Sequence, residues 1–418
     1  YLIVFAINNF MKLHYLDSGL STNMGHHSNS CRKIVEEFNA RNIGVDVYGY
    51  KDVEASLRDE LKINPYFNWH TYYEKIDFAE WSEIKAFYKG WIQTLDDLNG
   101  LADRFNSTDI VYFNSVRPAQ LMALANWVKN WDPKKMPTIV AEMGSASGLI
   151  RENPQSANWG IPDLRADPRP LFYRLAGEIL QDTKKNKFHP IVFDEFVAQS
   201  YSALLGVNVK HTSPPRTAIT SCRKRTTEKP IVISVLGEQR PGKGYELMPR
   251  VIELVLKKVR REVHFFVHNA SVEGMPQIQE TLRKMARLEA RIEINEQLGT
   301  PDLWASFLEK SDLILCPYYP PVYMTSYSAI AVEALSNSIP LVVPQFTSLS
   351  MTLERLGGGV AFNNYSADSI ADAVLTAIDN FETLACASHQ ASLRWRNELG
   401  PKQFVDSLIH WHQQAAAA

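Results

Sequence analysis

Two segments of the chain combine residue types and spacing that can do chemistry. The first is Leu236-Gly-Glu-Gln-Arg-Pro-Gly-Lys-Gly244, which follows the apolar run Ile231–Leu236 and opens a helical pattern from about residue 244. Glycine lets the main chain approach a phosphate closely. A helix N-terminus favours an anion, and Arg240 and Lys243 add cationic donors able to hold a diphosphate. The segment is neither GxxxxGK[ST] nor GxGxxG. Taken alone, an ordinary strand–helix turn with solvated charges accounts for it equally well.

The second segment runs from Cys316 to Pro344. A strand ends, a Pro- and Tyr-rich loop turns, a helix is predicted from near Ser326, and another strand follows Pro340. Glu333 falls within that helix among Ala, Ile, Val and Leu. A carboxylate in such company is costly unless it is paired. A hydroxyl pair such as a ribose would pair it; so would an Arg or a backbone donor. The first half offers weaker candidates. Gly25, His26 and His27 precede a helical run, and either histidine could contact a phosphate or act as a base, or simply sit in a capping loop. Asn114-Ser115 and Glu142 each end a predicted strand, and Glu142 could serve as a general base. Asp194-Glu195 reads better as a helix N-cap. The aromatic stretch 66–73 could stack on sugars but reads better as core packing.

These residues need a scaffold of strands and crossover helices. Short apolar runs at 1–7, 45–49, 109–114, 137–142 and 190–193 alternate with helical patterns, the signature of βαβ units. The stretch 206–230, with Pro214-Pro215, breaks the rhythm and reads as a linker. Strands are then predicted at 231–236, 263–267, 291–294, 312–316 and 340–343. The expected organisation is an α/β chain of two Rossmann-like domains. Residues 1–210 form the first, with insertions at 51–105 and 145–172; 211–230 link it to a second at 231–390. Residues 391–418 form a crossing helix and tail.

Bulk composition agrees with this. The chain has 418 residues, too many for one ordinary core. Its net charge of -2 gives no electrostatic case for nucleic acid. Four cysteines without a CxxC pair suggest free thiols in a reducing compartment. No apolar run approaches the ~20 residues that span a bilayer, and the opening Tyr1–Ala6 reads as a strand, not a signal peptide. Basic side chains at 184, 185, 187, 250, 257, 258, 260 and 261 could touch an anionic membrane surface, though a solvated helix face and a loop explain them better. No DxD-like or His-rich metal site is evident.

Both motifs lie at the carboxyl end of a strand, where open α/β domains bind nucleotides. Together they resemble the GT-B glycosyltransferases of the bacterial group-1 (family four) type, over residues 230–380. Leu236, Gly237, Arg240, Lys243, Gly244, Pro317, Tyr318, Tyr323, Ser328, Glu333 and Ala334 match a subgroup pattern LGxxRxEKG and PYxPxxYxxRxSGxxxEAL. The chain departs from the family at Glu238, Thr325, Ser326, Ala329 and Ser338-Ile339, where arginine, glutamate, arginine, glycine and glycine are usual.

The resemblance implies hexosyl transfer from a nucleoside-diphosphate sugar to a glycan or lipid-linked acceptor. It implies retention of configuration and no bound metal or other cofactor. Glu333 would bond the nucleotide ribose, and Lys243 and Arg240 would neutralise the leaving diphosphate. Ser326, Tyr327 and Ser328 would add a helix-start grip, and Tyr323 and Thr325 would face the donor sugar. Gly25 would lie against the donor phosphates. A cytoplasmic enzyme of polysaccharide biosynthesis, with or without contact to the inner membrane face, is the expectation. A nucleotide-sugar epimerase of the same fold and a non-catalytic nucleotide-sugar-binding subunit are the alternatives.

Overall fold

The computed structural model describes residues 11–23, 25–73, 81–144, 169–183, 186–216, 229–239, 242–270, 275–297, 300–324 and 326–417. The chain divides into two compact units, residues 1–215 with 400–418, and residues 216–399.

The first unit holds a seven-stranded sheet. Its strands are β1 (Lys12–Leu16), β2 (Gly44–Tyr50), β3 (Ile63–Phe67), β4 (Ile110–Val116), β5 (Thr138–Met143), β6 (Phe188–Val192) and β7 (Lys210–His211). They run in the order β3-β2-β1-β4-β5-β6-β7, every pair parallel. The second unit holds β8 (Ile231–Val235), β9 (Val263–His268), β10 (Ile292–Asn295), β11 (Leu313–Leu315), β12 (Leu341–Pro344) and β13 (Gly359–Phe362). These run β10-β9-β8-β11-β12-β13, again all parallel. Counted within each unit, the first six strands read 3-2-1-4-5-6, the doubly wound order. The order reverses at β1/β4 in one unit and at β8/β11 in the other. Each reversal opens a crevice at the strands' carboxyl ends.

Both faces of each sheet are covered, because residues alternate sides along a strand and crossover helices pack on each. In the first unit Leu16, Phe113 and Ala141 join one core with helices 118–130 and 195–205. Leu13, Tyr15, Tyr112 and Val140 join the other with helix His26–Asn39. The final helix, Gly400–Ala417, completes that second core with Phe404, Val405, Leu408 and Trp411. His412 Nδ1 meets Thr138 Oγ1 at 2.8 Å, and Arg41 pairs with Asp406 at 2.8 Å. Residues 400–417 therefore belong to the first unit. In the second unit Ile231, Ile233 and Val235 face one core, and Leu236, Ile314, Leu341 and Val343 the other.

Some elements differ from the sequence reading. The strand predicted at 1–7 lies outside the described residues; the strand that delivers Asp17 is β1, whose Lys-Leu-His-Tyr-Leu composition conceals it. β3 lies inside the stretch read as a helical insertion, where Pro65 masks the pattern. The insertion read at 145–172 is described only from Arg169, where a helix begins. The helix expected from Ser326 begins at Ala329, with Ser328 as its N-cap. Cys31 and Cys316 are free and buried, Cys386 is exposed, and Cys222 is outside the described residues.

Candidate functional site

In the second unit the two sequence motifs meet at the β8/β11 reversal. Beyond Val235 the chain turns through Gly237, whose φ of 99° suits glycine. A side chain there would collide with Ile330, and its Cβ would lie 2.9 Å from Lys243 Nζ. Gly244, at φ 72°, is wedged against the other motif: a Cβ there would sit 1.8 Å from the Pro317 carbonyl. The Tyr319 N–H donates to Gly242 O at 2.9 Å, tying loop to turn. Lys243 is 8 % exposed, its ammonium directed at this junction. Tyr323 stacks on Tyr318 with centroids 4.2 Å apart and is buried. Ser328 accepts from the Ala331 N–H, and Ser326 and Tyr327 lie half-buried in the irregular segment before that helix. Arg240 and Thr325 lie outside the described residues.

Glu333 is 5 % exposed, and both its oxygens are engaged. Arg216 Nη1 donates to Oε1 at 2.6 Å, and the Trp304 indole N–H donates to Oε2 at 2.8 Å. A carboxylate offers about four lone-pair positions, so acceptor capacity remains for a hydroxyl. Neither partner was picked out in the sequence. Arg216 lies in the stretch read as linker, directly after Pro214-Pro215, and Trp304 lies in an amphipathic helix, Pro301–Lys310. Beside Trp304, His268 ends β9, and its Nε2 lies 2.8 Å from Gln297 O. Burial lowers the His268 pKa, the Gln297 carbonyl opposes it and the Lys243 charge adds to it.

In the first unit a buried polar constellation sits at the β1/β4 reversal. Asp17 follows β1, and its carboxylate holds His27 Nδ1 at 2.8 and 2.9 Å. Asp17 also accepts from the Gly19 N–H and the Asn114 side-chain amide. Gly19 packs on the imidazole so closely that a Cβ would lie 2.4 Å from it. The other ring nitrogen, Nε2, meets Tyr72 Oη at 2.8 Å. Tyr72, 41 % exposed, also meets His26 Nε2 at 3.1 Å, and the Arg117 guanidinium lies over its ring at 5.3 Å. Thus His27 is locked by Asp17, while His26 is exposed. Gly25 has φ 90° with open space around it. Glu142 is buried and accepts from the Ser115 N–H at 2.7 Å; burial raises its pKa to about 7. The signal for Asp17 was its position straight after a strand, and that strand went unread.

Other candidates have ordinary places. Asp194 caps its helix by accepting from the Phe196 and Val197 N–H groups. Phe67 and Trp69 are core residues. Arg250, Lys258 and Arg261 pair with Glu253, Asp372 and Glu382 on the surface. Among the described residues no cluster of His, Cys, Asp and Glu could hold a metal, and no helix is long and apolar enough to cross a membrane.

With this geometry in place, comparison with solved structures identifies the architecture. Sucrose-phosphate synthase of Thermosynechococcus elongatus matches over 97 % of this chain and 100 % of its own, at 12 % identity and TM-score 0.63. TarM of S. aureus, in complex with fondaparinux, alpha-GlcNAc-glycerol and UDP, matches over 98 % and 100 %, at 13 % identity and TM-score 0.65. HepE of Anabaena, in complex with UDP, matches over 97 % and 99 %, at 14 % identity and TM-score 0.60. The fold is GT-B. No protein-family model matches the chain, and no curated protein matches it in sequence.

Proposed function

We propose that this chain is a glycosyltransferase of the hexosyl type, taking a sugar from a nucleoside-diphosphate sugar and passing it to a glycan or lipid-linked hydroxyl. The observation that carries the reading is the junction in the second unit. A glycine turn, a nearly buried lysine and a carboxylate-bearing helix converge at the reversal of a doubly wound sheet, the place where such sheets hold nucleotides. The UDP complexes of TarM and HepE support the same reading.

In this proposal Lys243, with Arg240, neutralises the β-phosphate as the sugar–phosphate bond breaks, the largest charge to develop in the reaction. The Ser326–Ser328 segment adds main-chain donors from the capped helix start. Glu333 accepts from the ribose with its remaining lone pairs, and Tyr323 and Thr325 border the sugar. No metal is needed where cationic side chains and a helix terminus take its place. Gly25 leaves the main chain open to a phosphate.

For the acceptor, His27 is the better-placed base. Asp17 fixes its tautomer, as an orienting carboxylate does for a catalytic imidazole; His26 and Glu142 are the other candidates. Retention, which the resemblance implies, needs no such base, whereas the Asp17–His27 pair favours inversion as a second reading. Free buried thiols suit a cytoplasmic enzyme. Incubating the protein with UDP-, GDP-, ADP- and dTDP-sugars and oligosaccharide acceptors tests the proposal. Release of nucleoside diphosphate with a new glycosidic bond supports it, and the anomeric coupling in the NMR spectrum of the product assigns the stereochemistry. Epimerised donor, or binding without turnover, would replace it.

A further inference from the structure

The first unit carries a second feature at the opposite end of its sheet. A cleft of about 520 Å³ is walled by the segments that precede β4 and β5, together with the last turns of helices Trp81–Leu101 and Pro118–Asn130. It lies at the amino ends of these strands, whereas Asn114, Ser115 and Glu142 lie at their carboxyl ends. A strand of seven residues separates the two ends by roughly 20 Å. The cleft is therefore distinct from the Asp17–His27 constellation.

Its lining combines two kinds of side chain. Trp127 and Trp131 stand edge to face with centroids 5.3 Å apart, and Phe105 meets Trp127 at 6.0 Å. Trp127 is buried and anchors the floor, while Trp131 is half-buried and keeps part of its ring in the cleft. Around them stand exposed neutral and balanced polar groups: Asn99, Asn106, Ser107 and Asn130, with Asp103 and Asp132 set against Lys134 and Lys135. Amides and hydroxyls can donate to and accept from neighbouring hydroxyls, and carboxylates can accept from them. A flat indole offers the apolar face that a pyranose ring covers. Equal numbers of acids and bases leave no preference for a charged ligand.

The walls are already ordered. The Asn106 N–H donates to Asp109 Oδ2 at 2.8 Å, and the Asp109 N–H returns to Asn106 O at 3.0 Å. Across the cleft, the Lys134 N–H donates to Asp132 Oδ1 at 3.0 Å, and the Lys135 and Met136 N–H groups donate to Asp132 O. Two turns closed by their own aspartates lose little freedom when a ligand binds. The volume lies in the range of small-ligand sites, about 300–1,000 Å³.

We propose that this cleft is a neutral-oligosaccharide site, remote from the donor machinery, which holds a distal stretch of glycan on the protein. The binding does not depend on the proposed transfer activity, so either can fail while the other stands. The test is isothermal titration of the full chain with maltoheptaose, cellohexaose and chitohexaose, without nucleotide. Saturable binding by one of them is expected. Trp131→Ala should weaken it about tenfold, the loss of one aromatic contact. Asn106→Ala/Asn130→Ala removes only exposed side chains and should weaken it too while leaving the melting temperature unchanged. Lys243→Ala should bind the oligosaccharide as the wild type does. Absence of binding by all three oligosaccharides overturns the proposal. So does binding unchanged in Asn106→Ala/Asn130→Ala, or lost in Lys243→Ala.

Discussion

Replacing Glu333 by glutamine tests whether its carboxylate is held as a counter-ion. The substitution keeps the shape of the side chain, and a glutamine carbonyl can still accept from the Trp304 indole. What it removes is the negative charge facing Arg216, and both members of that pair are 7 % exposed. Removing one partner of a buried pair leaves the other uncompensated, at a cost of about 3–5 kcal/mol. The second unit spans residues 216–399, a size at which each kcal/mol moves the melting temperature by roughly 2–4 °C. Glu333→Gln should therefore melt about 6–20 °C lower. Urea titration would read the same loss as a lower midpoint at unchanged slope. The double variant Arg216→Met/Glu333→Gln removes both charges and should recover most of the loss. A single variant within about 0.5 kcal/mol of wild type, the ordinary range for a surface substitution, would refute the reasoning.

Other consequences follow from the same geometry. Gly244→Ala combines a positive φ with a main-chain collision at the Pro317 carbonyl and should cost about 2 kcal/mol or more; Gly25→Ala meets no neighbour, but φ 90° with ψ −167° is a glycine-only backbone, so it should cost about 1–3 kcal/mol, both read by urea titration. Burial raises the Glu142 pKa from 4.5 to about 7, so the folded state keeps a proton that the unfolded chain releases. Stability should fall as pH rises from about 4.5 to 7, by about 3 kcal/mol, and Glu142→Gln should flatten that slope in denaturation measured across the range. If His27 is the acceptor base, His27→Gln should lower the transfer rate about 10²–10⁴-fold while leaving the thermal shift given by the nucleotide intact.

The βαβ rhythm was legible because buried parallel strands read as apolar runs, and β4, β5, β8, β9 and β11 announce themselves in this way. β1 and β3 do not: Lys12 and His14 interrupt one, and Asn64-Pro65 the other. The residues at the β8/β11 junction were legible because glycine turns and a stranded glutamate have local signatures. Their partners were not, since Arg216 lies 117 positions from Glu333 in the chain. Asp17, His27 and Tyr72 likewise meet only through the fold; nothing in a linear pattern pairs an aspartate after one strand with a tyrosine beyond another. The alternative reading of Glu333, as a carboxylate satisfied by an arginine, is the arrangement the structure shows.

The central claim is that a nucleoside diphosphate binds at the β8/β11 reversal. Thermal shift with UDP, GDP, ADP and dTDP, on wild type and Lys243→Ala, tests it most directly. A ligand at 100 times its Kd stabilises the folded state by about 2.7 kcal/mol, or roughly 5–11 °C for a unit of this size. The account predicts such a shift for one of the four nucleotides, and its loss in Lys243→Ala. No shift with any of them, or a full shift retained in Lys243→Ala, would contradict it.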